Sequence, residues 1–321
     1  MSNRLTDQEK NYIIQQKLKG AGSRAIGKVL GRGKSTVNGY YNQWKQEQVE
    51  GEALPDGAKV LFLDLEVSAS LVAAFSMFRH FSTPDHVIEF PYILTYGVNW
   101  LHEDSDKIEC KGLNDFDLFK KDHKNDKELV LALWRYFDDA DIVVIQNEGF
   151  DRGWFTQRCA YHGFPEPSPY RVICTLKGVK KAMSLPSNSL GYTTKYFDLP
   201  HTKLHHEGIS LWIKCMEGDV QAFEDMKTYN EGDIPTLREL YLKVRAYIPN
   251  HPNIALYFGD KDVMRCSVCG STNVKELDTS AFTNLTEFKA YRCGDCGTVK
   301  RSNESLTTKE DRNKFLRNIV K

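Results

Sequence analysis

Asp64 and Glu66 stand two residues apart in the apolar run Val60-Leu61-Phe62-Leu63-Asp64-Leu65-Glu66-Val67. Side chains alternate across a strand, so this spacing directs both carboxylates to one face. Acids in a core strand need a compensating partner, and a divalent cation is one that oxygen ligands can hold. Another acid, Asp151, ends Gln146-Asn147-Glu148-Gly149-Phe150-Asp151, directly after the buried-type run 142–145. That is where a parallel strand gives way to its helix, the usual location of sites in open α/β sheets. In Tyr229-Asn230-Glu231-Gly232-Asp233 a phenol and a carboxylate lie four residues apart, on one face of a helix. Taken singly, the first motif also suits a solvated edge strand, and Asp151 suits a helix cap. Near the C-terminal end, Cys266-x-x-Cys269-Gly and Cys293-x-x-Cys296-Gly, with 23 residues between the pairs, have the knuckle spacing of a four-thiolate zinc site. In a reducing cytosol disulfides are the poorer reading of these pairs.

The elements that must position these groups follow from periodicity. Apolar runs at 60–65, 92–100 and 142–145 interleave with helical patterns at about 126–137, 152–161 and 219–244. This alternation predicts an α/β layered domain over residues 59–260, with a mixed sheet. Gly232 and Pro235 bracket Asp233. A proline in a helix interior costs ~3 kcal/mol, so either the helix restarts at Asp233 with Pro235 in its first turn or the site is irregular. Ahead of this domain, residues 47–58 read as a linker and residues 1–46 as three short helices. The first is opened by the capping box Thr6-x-x-Glu9 and carries Tyr12, Ile13 and Leu18. The second starts at Ser23 with Ala25, Ile26, Val29 and Leu30 on one face and stops at Gly31, and the third starts at Ser35 with Val37, Tyr40, Tyr41 and Trp44. Residues 261–304 form the cysteine module, and 305–321 a last helix capped by Thr307-x-x-Glu310, with Phe315, Ile319 and Val320 as an apolar stripe.

Ser23-Arg24-Ala25-Ile26-Gly27-Lys28-Val29-Leu30 and Lys34-Ser35-Thr36-Val37 resemble the second helix and the start of the recognition helix of helix-turn-helix DNA-binding domains. The resemblance implies that Lys34, Ser35, Thr36, Asn38 and Tyr41 face a major groove and its phosphates. Gly39 departs from the pattern, at a cost of ~1 kcal/mol relative to Ala. An oligomerisation or docking module is the alternative. Gly33-Lys34-Ser35 is not a phosphate loop, because Lys28 stands where the first glycine belongs and no strand precedes it.

The acidic motifs, D-x-E, then N-x-x-F-D, then Y-x-x-x-D, resemble in this order the three motifs of the DnaQ-like 3′–5′ exonucleases in the ribonuclease H-like superfamily. Tyr229 four residues before Asp233, with Thr228 where the sister branch has a histidine, resembles the tyrosine subclass. Trp100 and Pro186-Ser187-Asn188-Ser189-Leu190 look like its bacteriophage-type members, and the resemblance covers roughly residues 59–247. It implies a ribonuclease H-like mixed sheet flanked by helices. It also implies that Asp64, Glu66, Asp151 and Asp233 ligate two Mg²⁺ or Mn²⁺ ions and that Tyr229 orients the attacking water, with Asn147 and Phe150 touching the terminal nucleotide. Two such ions can activate a water and stabilise a leaving 3′ oxygen, releasing 5′-mononucleotides. Cys174 stands where relatives often have an acid and reads as a buried structural cysteine. The cysteine module resembles a zinc ribbon, which implies one structural Zn²⁺.

Composition limits the remaining classes. The 321 residues include 43 basic and 43 acidic side chains and are 41% hydrophobic, which argues against disorder and for two or three domains. No apolar run approaches the ~20 residues of a membrane-spanning helix, and Met1-Ser2-Asn3-Arg4-Leu5 is unlike a secretory signal, so a cytoplasmic location is expected, that of a host if the chain is virus-encoded. Charge is uneven, with nine basic and four acidic residues in 1–50, 22 and 31 in 51–260, and 12 and eight in 261–321. Basic ends suit a polyanion and an acidic centre suits divalent cations. The expected partners are nucleic acid, DNA ahead of RNA, and a separate polymerase or another replication or recombination protein, with no membrane. His205-His206 reads as a solvated loop or substrate-facing surface. A transposase-like or structure-specific endonuclease, and a non-catalytic DNA-binding or polymerase-accessory protein, remain as alternatives.

Overall fold

A computed structural model describes residues 5–18, 21–41, 57–74, 83–203 and 207–316. The chain divides into two compact units, Met1–Asp56 and Gly57–Lys321. Most of the expected linker, Trp44, the pair His205-His206, and Ile319 and Val320 lie outside the described residues.

The first unit contains α1 (Asp7–Leu18), α2 (Ser23–Leu30) and α3 (residues 34–41). At the start of α1 the Thr6 amide donates to Glu9 Oε2 at 2.7 Å and the Glu9 amide to Thr6 Oγ1 at 3.3 Å, a reciprocal capping box. Glu9 also receives the Arg32 guanidinium at 2.8 Å, which holds its carboxyl down at about 2. Gly31 closes α2 in the left-handed region at φ 63°, where a Cβ is disfavoured. Each helix sends one residue to a small core: Ile13, Ile26 and Val37. Val29 is not on that face but 68% exposed, because the eight-residue helix turns Ser23, Ile26 and Gly27 inward, with Leu30 half-buried on the same stripe. Ala25 and Val29 fall off this i, i+3, i+4, i+7 stripe.

In the second unit β1 (Val60–Val67) is followed by a two-stranded antiparallel sheet, β2 (Leu71–Val72) and β3 (Val87–Glu89), then β4 (Ile93–Trp100) and β5 (Glu109–Gly112). Next come α4 (Lys127–Asp139), β6 (Ile142–Ile145), α5 (Glu148–His162), β7 (Arg171–Cys174), α6 (Thr175–Ala182), α7 (Leu190–Tyr196), α8 (Ile209–Met216) and α9 (Val220–Val244). The central sheet runs β5-β4-β1-β6-β7. Its first half is antiparallel and its second half parallel, a mixed sheet flanked by helices. Odd-numbered residues of β1 pack into a core with α4 and α5, whereas Val60 and Phe62 pack with α6, α7 and the C-terminal half of α9. Asp64 and Glu66 continue the row of Val60 and Phe62. Helix α5 begins at Glu148, so Asp151 sits inside its first turn rather than ahead of it.

Helix α9 neither breaks nor restarts at Pro235. The proline removes one backbone donor, and one residue along the Thr236 hydroxyl donates to the Gly232 carbonyl at 2.8 Å. Ile234, Leu237, Leu240 and Tyr241 are fully buried around it, and that burial outweighs the local propensity. The helix lies close to β4. At Gly97, opposite Asp64 in the register, a Cβ would come within 2.9 Å of Ile234 Cγ1 and 3.3 Å of the Asn230 carbonyl.

After α9 the chain forms an antiparallel three-stranded sheet, β8 (Val274–Phe282), β9 (Glu287–Cys293) and β10 (Val299–Ser305), then α10 (Lys309–Lys314). Thr308, not Thr307, caps α10, accepting from the Asp311 amide at 3.1 Å, while Thr307 Oγ1 accepts from the Glu287 amide at 2.8 Å. Phe315 lies past the end of α10 and is half exposed, so no apolar stripe forms among the described residues. No described helix is long and apolar enough to cross a membrane.

Because Ile234 is buried and backbone lies behind it, Gly97→Ala is expected to push α9 off the sheet. Urea denaturation should show a loss of about 1–3 kcal/mol, the usual range for overpacking, and an unchanged midpoint would count against this close approach.

Candidate active site and cysteine cluster

Three of the four acids converge. Oxygens of Asp64 and Glu66 from β1 and Asp233 from α9 all lie within 4.8 Å of one another. Asp64 and Glu66 are half-buried and Asp233 is fully buried. Asp151 is outside this triad but tied to the same strand. Strand β6 ends at Ile145, opposite Leu63, so β1 projects beyond it, and the Leu65 amide donates to Asp151 Oδ1 at 3.0 Å. Tyr229 lies one turn before Asp233 on α9 and is buried, with the Trp212 ring edge-on at 6.1 Å.

Crowding of like charges away from water shows in the proton affinities. Burial, then the charges of Asp151, Glu66 and Asp233, hold the Asp64 carboxyl well above its usual range. Burial pushes Glu66 up to about 8, against the pull of the Lys203 ammonium, and Asp151 up to about 7, against its bond from Leu65. Burial also takes the Tyr229 phenol up to about 12, so it keeps its proton at neutral pH.

Several groups at this site escaped the sequence reading. Lys203 Nζ lies 2.8 Å from Asp233 Oδ2 and 4.9 Å from the centre of the Tyr229 ring. Burial would lower that ammonium, but the Asp233 carboxylate holds it above its usual value. The loop carrying Lys203 is fastened to α9 by His201, whose amide donates to Glu239 Oε2 at 3.0 Å. Asn230 Nδ2 donates to Asp64 Oδ2 at 2.7 Å, and the Trp212 indole draws the Glu66 carboxyl down slightly against its burial. Lys203 belongs to an aperiodic loop and had no local signal. Asn230 had one, a polar residue on the buried face of a helix. Asp126 is also fully buried, gripped by Arg158 at 2.7 Å through two bonds and by His162 Nε2 at 2.6 Å. It accepts from the Ile93 amide at 3.0 Å and so joins α4, α5 and β4.

Asn147 and Phe150 stand at the start of α5, beside Asp151 in the chain. Asn147 is exposed and caps α5 from the left-handed region at φ 65°, a conformation asparagine tolerates. Phe150 is 43% exposed beside Trp154. In the three-helix unit Lys34, Ser35 and Thr36 are exposed at the start of α3. Asn38 instead turns inward, its Oδ1 accepting from the Ser23 hydroxyl and from Lys17 Nζ at 3.5 Å, and Lys17 also lies 5.4 Å from the Tyr41 ring.

The four paired cysteines form a separate cluster with all sulfurs within 4.8 Å. Cys266 and Cys296, and Cys269 and Cys293, approach to 3.6 Å. A disulfide needs ~2.05 Å. Four thiolates around one ion at Zn–S ~2.3 Å imply edges near ~3.8 Å, which this cluster matches, so it could bind zinc. The knuckles are joined to the end of α9. Thr298 Oγ1 donates to the Ala246 carbonyl at 3.2 Å, and the Ile254 amide to the carbonyl of Ser267 at 2.8 Å. Phe258 fills the space that a side chain at Gly270 would need. Cys174 is buried and caps α6, accepting from the Lys177 amide at 3.4 Å.

No family model and no curated protein matches this chain. Among solved structures, the family B DNA polymerase from the hyperthermophilic archaeon Pyrobaculum calidifontis is similar at 14% identity and a TM-score of 0.43, over 61% of this chain and 26% of the polymerase. The chain thus spans about a quarter of that polymerase's length, and a likeness at this level assigns neither activity nor substrate.

Glu66 holds a proton in the folded chain between its ordinary 4.5 and about 8, where the unfolded chain has released it, so its contribution to stability falls as pH rises through that window. In buffer without Mg²⁺ or Mn²⁺, Glu66→Gln should therefore gain stability relative to wild type from pH 5 to pH 8. Parallel melting-temperature profiles for the two proteins would refute this.

Cys293→Ser is expected to lower bound zinc, measured by elemental analysis. It should also lower the melting temperature of the whole second unit, because the knuckles are bonded into its core. Zinc loss without a stability change would separate the cluster from that core.

Proposed function

We propose that this chain is a metal-dependent 3′–5′ exonuclease that hydrolyses phosphodiester bonds at the 3′ end of nucleic acid, DNA ahead of RNA. The observation that carries this reading is the convergence of Asp64, Glu66 and Asp233 from two distant segments, with Tyr229 one turn away on the same helix. Crowded, buried carboxylates, with the proton affinity of Asp64, Glu66 and Asp151 raised, suit hard divalent ions. Asp64, Glu66 and Asp233 would hold Mg²⁺ or Mn²⁺ directly, and Asp151, held on the Leu65 amide, would complete the set for a second ion. When bound, such a pair supplies the charge that activates a water and stabilises the departing 3′ oxygen. Tyr229, kept protonated by burial, acts by hydrogen-bonding and orienting the water rather than by taking its proton. The mixed sheet with helices on both faces is compatible with a ribonuclease H-like nuclease.

In this reading the three-helix unit is a helix-turn-helix module that contacts DNA through the exposed Lys34, Ser35 and Thr36, and the cysteine cluster is a zinc ribbon holding one structural Zn²⁺. Asn38 and Tyr41 serve the packing of the unit, and both residues expected at the terminal nucleotide, Asn147 and Phe150, are exposed.

The test is digestion of 3′- and 5′-labelled DNA and RNA oligonucleotides, and of a circular single strand, with Mg²⁺ or Mn²⁺. Stepwise release of 5′-mononucleotides from the 3′ end and an intact circle are expected, with Asp64→Ala and Asp233→Ala slower by ~10²–10³-fold or more. A nicked circle would favour an endonuclease, and an inert wild type a scaffold role.

A further inference from the structure

We propose that Asn230 is a positioning residue for Asp64, holding one oxygen of that carboxylate so that the other faces the ion. This rests on the reading of the acid cluster as a metal site.

Asn230 is fully buried on α9, in the turn between Tyr229 and Asp233. Its Nδ2 donates to Asp64 Oδ2 at 2.7 Å. Its Oδ1 faces two donors, the Thr95 hydroxyl at 3.2 Å and the Cys110 thiol at 3.7 Å. Cys110 is kept protonated by burial and also donates to the Lys227 carbonyl at 3.4 Å. With the oxygen occupied by donors from β4 and β5, the amide has one orientation, which presents its N–H to Asp64. Thr95 is itself fully buried and stands opposite Glu66 in the β1–β4 register, so the chain Thr95–Asn230–Asp64 runs beside the two strand acids.

The residue type matters. An ammonium at this position would neutralise Asp64 and compete with a cation, and a carboxylate would add another like charge. A neutral amide does neither: it fixes the carboxylate and leaves its charge available. Outer partners of ligating carboxylates typically alter metal affinity by 10–100-fold.

The experiment measures Mn²⁺ affinity by titration calorimetry and by paramagnetic resonance of free Mn²⁺, on the full zinc-loaded chain and without substrate. Asn230→Ala should weaken binding ~10-fold or more, and should cause no further loss when Asp64 is already Asn, since the effect passes through that carboxylate. Thr95→Val, which keeps the amide but removes the donor that orients it, should lose affinity several-fold and show the same dependence on Asp64. It carries the test if Asn230→Ala does not fold. Wild-type affinity in these variants, or an equal loss with and without the Asp64 carboxylate, would overturn the positioning role. A wild type that binds no Mn²⁺ would instead overturn the metal reading beneath it.

Discussion

Carboxylates repel, and three of them brought within 4.8 Å beneath a helix repel strongly. Much of the second unit is arranged around that repulsion. Every acid of the site has a specific compensating contact: Asn230 on Asp64, Trp212 on Glu66, the Leu65 amide on Asp151 and the Lys203 ammonium on Asp233. These contacts come from β1, α8, α9 and the loop before α8, so the folded unit alone can supply them together. Their sum still leaves Asp64, Glu66 and Asp151 with raised proton affinity, a cluster whose charge is only partly balanced by these contacts and which a divalent cation would complete.

Helix α9 connects this site to the rest of the unit. Its 25 residues cross the sheet, carrying Tyr229, Asn230 and Asp233 over β1 and β4 and ending against the cysteine knuckles. Gly97 permits the close approach that brings Asn230 to Asp64. The cysteine module buries few large apolar side chains, and its small core is Val268 and Val274 with the cysteines themselves, with Phe288 buried on β9. A segment of that size gains order chiefly from a metal and from its neighbour. The contacts at Ala246, Ile254 and Phe258 make the α9 end that neighbour, so the two clusters share one helix.

Local chemistry made much of this legible. The D-x-E spacing put two carboxylates on one face because a strand has period two, and Y-x-x-x-D put a phenol and an acid together because a helix has period 3.6. The capping box at Thr6 and Glu9 and the stop at Gly31 were readable because they act within one turn. Where the reading failed, a nonlocal term decided. Pro235 signalled a break, but the burial of Ile234, Leu237, Leu240 and Tyr241 keeps α9 continuous. Val29 looked apolar and inward, yet the docking of α2 turns the stripe of Ser23, Ile26, Gly27 and Leu30 to the core and leaves Val29 outside it. Asn38 looked like a groove contact, but the hydroxyl of Ser23, from the preceding helix, takes its oxygen.

The sequence by itself determined which residue types are present at helical, strand and knuckle spacings, and so the kinds of chemistry open to the chain: hard oxygen ligands in the middle, soft sulfur ligands near the end. Tertiary structure decided which of those residues meet. Asp64 reaches Asp233 across 169 positions, Asn230 reaches Asp64, and Lys203 reaches Asp233 from a loop with no pattern of its own. The reason is physical. Periodicity orients a side chain relative to its own element, whereas charge compensation depends on where separate elements dock, and docking is governed by the summed burial of apolar faces that carry none of the chemistry.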